Sequence, residues 1–169
     1  MIKKIFKYFG LAVVALVAVL LVKTLLYQSK QPDVAYKGPV GISEMSITNL
    51  SNAIQFMTVS NEDPSLNDTS EFALFHEFLR KAYPLAHQTL KRGIHNKFAL
   101  LYEWEGKDTT LKPVILLAHQ DVVPVVEAEW ERPPFSGLIE DGYVWGRGTL
   151  DDKGSMIAIF ESVEKLIRE

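Results

Sequence analysis

Hydrophobic positions divide the chain into an apolar leader and a longer mixed segment. The leader runs from Ile5 to Tyr27, has lysines clustered at its start and is interrupted by Lys23 near its far end. A bilayer core requires about 20 mostly apolar residues, and flanking lysines favour the cytoplasmic side. The pattern predicts a single-pass signal anchor over residues 1–27, with the remaining chain extracytoplasmic, in the periplasm, the lumen or outside the cell. A cleaved signal peptide is the alternative.

Residues 28–42 turn to Lys, Gln, Pro and Gly, a composition that predicts a linker. Helical spacing of apolar residues begins at residue 43 and predicts two amphipathic helices. The first carries Ile47, Leu50, Ile54 and Met57, with Ser43 or Ser46 as its cap. The second carries Phe72, Phe75, Phe78 and Leu79 and ends before Pro84.

After Gly93 the apolar period changes to that of strands. Phe98–Trp104 and Val114–Ala118 are rich in branched or aromatic residues, and a hairpin-like turn is predicted between them. Val114–Ala118 is apolar without alternation, which favours a central strand covered on both faces. Tyr143–Trp145 predicts another short strand, and the apolar face after Gly154 predicts a final helix. This order predicts an α/β fold, a mixed sheet flanked by helices, over residues 43–169.

Composition narrows the chemistry. The chain has 169 residues, a formal net charge of −3 and no cysteine. No basic stripe follows the leader, so nucleic acid is not an expected partner. Without thiolates, any zinc site must use His, Asp and Glu side chains.

Two polar segments near the predicted strand ends carry candidate metal ligands. His119 and Asp121 are two residues apart, so in an extended strand their side chains share a face at its carboxyl end. A polar turn after a strand is the alternative. Asp151 and Asp152 are adjacent and face opposite ways, so one of them suits a metal while the other suits an N-cap. The spacing leaves open whether the neighbouring Arg147 and Lys153 balance these carboxylates or face solvent. Three other histidines are expected at the surface: His76, His87 and His95.

The order of three motifs identifies a resemblance. They are Ala-His-Gln-Asp-Val-Val-Pro at 118–124, Trp-Glu-Arg-Pro-Pro-Phe-Ser-Gly at 130–137 and Asp-Gly-Tyr-Val-Trp-Gly-Arg-Gly-Thr-Leu-Asp-Asp-Lys-Gly at 141–154. Together they resemble the co-catalytic zinc peptidases, which include glutamate carboxypeptidase and aminoacylase. The resemblance is greatest to the branch of carboxypeptidase S and the N-acyl amino acid hydrolases.

The resemblance implies a site with two zinc ions. In it, His119 is a ligand of one zinc, Asp121 is the catalytic residue that orients His119, and Asp151 bridges both zincs. It also implies a cis peptide between Asp151 and Asp152. The implied activity is cleavage of the amide bond of a peptide or N-acyl amino acid that has a free carboxylate.

The family's general-base glutamate, its other zinc ligands and its inserted dimerisation domain all follow the region matched here. We therefore expect the chain to be the N-terminal portion of the catalytic domain, inactive alone, from a protein that forms a homodimer through the missing domain. The alternative is a membrane-anchored, non-catalytic binding domain or remnant that retains the peptidase fold.

Overall fold

The computed structural model describes residues 2–29, 35 and 41–169, in two units that span residues 1–40 and 41–169. The first unit contains helix α1, Ile2–Leu25, whose side chains are all exposed. At 1.5 Å per residue this helix is about 36 Å long. By length and composition it is sufficient to cross a membrane, a test that a signal sequence also passes. The predicted linker lies mostly outside the described residues.

The second unit contains four α-helices: α2, Glu44–Ile54; α3, Thr69–Ala82; α4, Pro84–Thr89; and α5, Lys153–Arg168. The predicted cap of α2 is confirmed, because the Ser43 hydroxyl accepts a hydrogen bond from the Ser46 backbone N–H at 3.0 Å. Helix α3 ends before Pro84 as predicted. Met57 was wrongly included in the first helix, since α2 ends three residues earlier. Two short 3-10 turns occupy Pro64–Leu66 and Glu127–Glu129.

The hydrophobic core lies among these four helices. Helix α5 packs against α2 and α4, and α3 packs against both of those helices. The aromatic and aliphatic residues predicted on α3 and α5 supply most of this core. Its buried members are Ala53, Phe75, Leu79, Tyr83, Ala86, Ile157 and Phe160.

Two carboxylates of α5 fix the neighbouring helices. Glu161 accepts hydrogen bonds from the Asn49 amide and the Tyr83 hydroxyl, both at 2.9 Å. Glu164 is buried and accepts from the backbone N–H groups of Leu85 and Ala86, at 3.1 and 2.8 Å. These are N–H groups of the first turn of α4, whose own N-cap residue, Tyr83, makes no side-chain capping bond. A distant glutamate therefore replaces the local cap.

The described strands form two separate antiparallel pairs. Strand β1, Lys91–His95, pairs with β2, Ala99–Glu103, and strand β3, Ile139–Glu140, pairs with β4, Tyr143–Val144. Strands near 98–104 and 143–145 are thus confirmed. The predicted hairpin between 98–104 and 114–118 is wrong, because β2 pairs with the strand that precedes it.

Val114–Ala118, predicted as a buried central strand, forms no strand in the structure. Its four large side chains, at positions 114–117, are 59 to 85% exposed. A strand requires a neighbour for its backbone hydrogen bonds, and none of the described strands runs beside this segment. The mixture of helices and strands agrees with the predicted α/β class. The predicted mixed sheet does not form within the part of the chain that the structure describes.

Candidate active site

The structure brings together the three side chains that the sequence proposed for the site. His119 Nε2 lies 2.8 Å from the Asp151 carboxylate oxygen Oδ1, although the residues are 32 positions apart. On the other side of the ring, Nδ1 lies 3.0 Å from the Asp121 backbone carbonyl oxygen and 3.3 Å from its carboxylate. The imidazole therefore lies between two acidic residues that approach different nitrogens.

Hydrogen bonds to the chain that follows α2 hold the His119 segment. Val122 donates its N–H to the Thr58 carbonyl oxygen and accepts from the Ser60 N–H, both at 2.9 Å. These bonds make a parallel bridge between residues 59 and 122. The Thr58 hydroxyl also donates to the Gln120 carbonyl oxygen at 2.6 Å. The segment is fixed by these bonds even though it is not part of a sheet.

The segment that carries Asp151 makes a turn at Gly148, close to the His119 segment. Gly148 has φ +92°, and a β-carbon there would lie 2.7 Å from a methyl group of Val122. Glycine is thus required both by the backbone conformation and by the approach of the two site segments. The Gly148 carbonyl oxygen accepts the Lys153 N–H at 2.9 Å, where α5 begins. The cis peptide between Asp151 and Asp152 is present. Asp152 occupies the N-cap position of α5, but its side chain makes no capping bond.

Lys153 neither balances the neighbouring carboxylates nor faces solvent, the two alternatives that the sequence left open. It is fully buried, and its ammonium group donates to the carbonyl oxygens of Ala53 and Phe56 at 3.0 and 2.6 Å. The ammonium also lies 5.0 Å from the centre of the Phe75 ring. Burial lowers the pKa of Lys153 to about 8. The residue next to the acidic pair therefore joins the start of α5 to the end of α2, a contact between residues about 100 positions apart that no sequence pattern indicates.

The electrostatics of His119 follow from its two acidic neighbours. Burial lowers the pKa of its imidazole, but the hydrogen bond to Asp151 and the contacts with Asp121 outweigh this effect and raise the pKa above its usual value. Both ring nitrogens face acceptors, which favours the doubly protonated ring. The side chains remain accessible, at 51% exposure for His119 and 89% for Asp151.

Two of the three remaining histidines differ from the surface positions predicted for them, and the prediction for His95 is confirmed. His76 and His87 are half-buried, whereas His95 is exposed at the end of β1. His76 Nε2 lies 2.8 Å from the Gln120 side-chain oxygen, beside the site. Spacing alone gave no signal for this contact, because residues 76 and 120 lie on separate elements.

The donor set suits zinc in kind but supplies only part of a site. Imidazole and carboxylate are zinc ligands, and a zinc ion usually has three protein ligands plus water. His119 Nε2 and Asp151 Oδ1 converge, while the described residues contain no group of three or more His, Cys, Asp or Glu side chains that could hold a metal. The roles assigned to His119, Asp121 and Asp151 stay predictions at this point.

A cleft of about 380 Å³ borders the site. Its polar side carries His119, Gln120 and Asp121, and its apolar side is formed by Phe72, Phe98, Leu100 and Met156. A larger cleft of about 510 Å³ is lined mainly by residues 130–136 and includes none of the three proposed site residues. Of these two clefts, only the smaller therefore joins an apolar surface to proposed site residues, His119 and Asp121.

Comparison with known proteins gives the family. Residues 115–169 match the peptidase family M20/M25/M40. Probable carboxypeptidase S-like 2 of Dictyostelium discoideum is 40% identical over 166 residues, which cover 92% of this chain and 32% of that protein. Carboxypeptidase S of Saccharomyces cerevisiae is 43% identical, with 72% of this chain and 23% of that protein covered.

A third relative is named for N-fatty-acyl-amino acids rather than as a carboxypeptidase. The N-fatty-acyl-amino acid synthase/hydrolase PM20D1 of Bos taurus is 42% identical, with 70% of this chain and 24% of that protein covered. The chain thus spans about a third or less of the length of these curated relatives. It belongs to the M20/M25/M40 peptidase family, in the group that contains carboxypeptidase S and the N-acyl amino acid hydrolases.

Proposed function

We propose that this chain contributes part of the active site of a di-zinc hydrolase. The substrate is a peptide or an N-acyl amino acid with a free carboxylate, and the reaction cleaves its amide bond. The observation that carries the proposal is the convergence of His119 Nε2 and Asp151 Oδ1 at 2.8 Å. The names of the relatives, carboxypeptidase and N-fatty-acyl-amino acid synthase/hydrolase, support the substrate class.

The proposed roles follow from the different contacts of the two imidazole nitrogens. The Asp121 carbonyl oxygen and carboxylate accept from Nδ1, which keeps the proton on that nitrogen and directs Nε2 towards Asp151. His119 Nε2 and the Asp151 carboxylate would then hold zinc, with Asp151 between two ions. When bound, zinc supplies Lewis acidity at the scissile carbonyl. In this proposal the remaining ligands and the general base come from residues outside this cluster, and the described residues do not catalyse the reaction without them.

Zinc content tests the ligand assignment. Zinc bound per polypeptide would be measured in the purified full-length protein and in its variants His119→Ala and Asp151→Ala. We expect each variant to lose at least one zinc, because alanine removes a donor atom that the proposed coordination requires. His95→Ala is the matched control, since His95 is exposed on β1 and no proposed role involves it. Unchanged zinc content in both site variants would contradict the proposal.

Paired substrates test the reaction. We expect the zinc-loaded full-length protein to hydrolyse N-acyl amino acids or dipeptides with a free carboxylate, and to act at least tenfold more slowly on the matching carboxamides. Equal rates on the acid and the amide would exclude the proposed substrate class. Absence of zinc-dependent hydrolysis in full-length protein that binds zinc normally would favour the non-catalytic alternative.

We also propose that α1 anchors the protein in a membrane, with residues 41–169 on the extracytoplasmic side. The apolar length of α1 and the lysines near its start support this orientation. Protease added outside intact cells or spheroplasts should digest the tagged 41–169 unit. Protection of that unit until the membrane is opened would contradict the topology. N-terminal sequencing of the mature protein separates an uncleaved anchor from a cleaved signal peptide. A homodimer through the family's inserted domain is part of the same proposal and is tested by sedimentation of the full-length protein.

A further inference from the structure

We propose that His76 is a positioning residue of the zinc site, acting through the side chain of Gln120. This inference rests on the proposed function, because it assigns His76 the task of fixing the segment that carries His119 and Asp121. His76 belongs to α3 and lies outside all three motifs that identify the family.

Gln120 is held at three points. Its side-chain nitrogen donates to the Phe98 carbonyl oxygen, and its side-chain oxygen lies 2.8 Å from His76 Nε2. The Thr58 hydroxyl donates to its backbone carbonyl oxygen. A carbonyl oxygen can only accept, so the amide nitrogen must face Phe98 and the amide oxygen must face His76. His76 Nε2 is therefore the donor in this bond.

The anchored side chain lies between the two site residues. His119 and Asp121 contact each other through the imidazole, whereas the intervening Gln120 side chain bonds to α3 and to residue 98. In extended backbone, successive side chains project to opposite sides. A shift of Gln120 would therefore carry its two neighbours with it. Since Val114–Ala118 is not held in a sheet, the bonds to Gln120 are a large share of what restrains the segment on its amino-terminal side.

The surroundings of His76 suit a fixed neutral donor. The ring is half-buried, and its centre lies 6.3 Å from that of the Phe98 ring. Burial lowers the pKa of His76, which keeps the ring neutral at neutral pH. A neutral ring with its proton on Nε2 can make the bond to Gln120 without placing a second positive charge near the proposed metal ions.

His87 provides a matched control within the same core. It is also half-buried, and burial also lowers its pKa. Its Nδ1 bonds to the Tyr83 carbonyl oxygen at 2.9 Å and its Nε2 to the Tyr102 hydroxyl at 2.8 Å. It has no hydrogen bond to the 118–122 segment. Replacing either histidine should disturb the core to a similar degree, while only the loss of His76 releases Gln120.

The experiment compares His76→Phe with His87→Phe in the full-length protein. Zinc dissociation constants would be measured by chelator competition, the ligand geometry by the visible absorption bands of the Co²⁺-substituted protein, and stability by thermal unfolding. Loss of a group that directly contacts a metal ligand typically weakens metal affinity about 10–100-fold. His76 acts through Gln120, one contact further from His119, which places its effect at the lower end of this range. We expect His76→Phe to weaken zinc binding by about tenfold and to change the Co²⁺ bands. His87→Phe should lower the unfolding temperature to a similar degree and leave both metal readouts unchanged.

Two further variants keep the test decisive if His76→Phe folds poorly. Gln120→Met removes the same hydrogen bond from its other end, together with the bond to the Phe98 carbonyl oxygen, and should produce at least the same loss of zinc affinity. His76→Gln retains an N–H donor and should recover most of that affinity. Equal zinc affinity in His87→Phe, His76→Phe and Gln120→Met would overturn the positioning role.

The two proposals fail in different ways. If His119→Ala and Asp151→Ala both retain all their zinc, or if the unmodified protein binds none, the proposed function fails, and the role of His76 fails with it. If zinc binds and depends on His119 but is insensitive to His76 and Gln120, only the positioning role is excluded.

Discussion

The helical core and the segment at residues 114–118 are both rich in large apolar residues. The large apolar residues of the core are buried, whereas those of the segment are exposed to solvent. Phe75 and Leu79 of α3 are fully buried, whereas Leu117 is 83% exposed. A helix satisfies its backbone hydrogen bonds internally and needs only one face covered. A strand must receive its bonds from another strand, whatever its side chains are. Apolar patterning is therefore sufficient evidence for the helices but not for the sheet.

The proposed site lies where these two regions meet. Asp151 lies two residues before α5, which the core holds through Lys153, while His119 directly follows the exposed segment. The core thus fixes one proposed ligand directly. It fixes the other less directly, through the bonds that Thr58, Ser60, His76 and Phe98 make to residues 120 and 122.

The largest effect is expected in the core. Phe75 is fully buried and contacts Phe56 and Phe78, with ring centres 5.6 and 6.0 Å apart. Phe75→Ala should lower the free energy of unfolding by about 3–5 kcal/mol, because the cavity adds to the lost burial. Urea denaturation of the purified chain measures this change. A loss below about 1 kcal/mol would mean that the core is less closely packed than the structure shows.

The next largest loss of stability is expected where the two site segments approach each other. Gly148→Ala introduces a β-carbon 2.7 Å from Val122 and an alanine at φ +92°. Positive φ alone costs about 1–2 kcal/mol for a residue with a β-carbon, and overpacking adds about 1–3 kcal/mol. Gly142→Ala is the control, since Gly142 has φ +80° and no atom within 4 Å of the added carbon. Equal destabilisation of the two variants in urea would show that the approach to Val122 relaxes readily.

The histidines of the two regions should respond to pH in opposite directions. Burial lowers the pKa values of His76 and His87 in the core, so the unfolded chain binds protons first as pH falls. Their contribution to stability is complete above the histidine pKa of the unfolded chain, near 6.5, and is lost as pH falls below that pKa. The raised pKa of His119 has the opposite effect, stabilising at low pH and fading as pH rises through its folded value.

Urea unfolding between pH 5 and 8 measures this contrast in the absence of metal. His87→Phe should reduce the loss of stability on acidification, and His119→Ala should increase it. Parallel pH profiles for the two variants would show that the environments of these histidines do not differ as described.

The smallest change in stability is expected at the exposed segment, residues 114–118. Leu117→Ala should change the free energy of unfolding by less than about 0.5 kcal/mol, because the side chain is already in solvent. The same denaturation experiment applies. A loss of 2 kcal/mol or more, about the cost of emptying a buried leucine site, would mean that this segment is covered in solution and would remove the contrast between the two regions.

Helices α2, α3 and α5, and which residues meet at the candidate site, could be predicted from local information. Ser43 capped its helix, α3 ended before Pro84, and the contacts of His119 with Asp121 and Asp151 joined the residues that the motifs had indicated. The pairing of strands could not be predicted in this way. Residues 98–104 had an apolar candidate strand after them in the chain, but β2 pairs with Lys91–His95, whose side chains show little apolar pattern.

The sequence by itself determined the helical core, the apolar leader and the residue types available for metal binding, because helical periodicity and motif order depend on near neighbours. Only the tertiary structure decided that Lys153 is buried against α2, that Glu164 caps α4 and that His76 holds Gln120. Each of these contacts joins residues 44 to 100 positions apart. The folded chain selects them because a buried polar group must find a partner, and no local pattern specifies which partner is nearest.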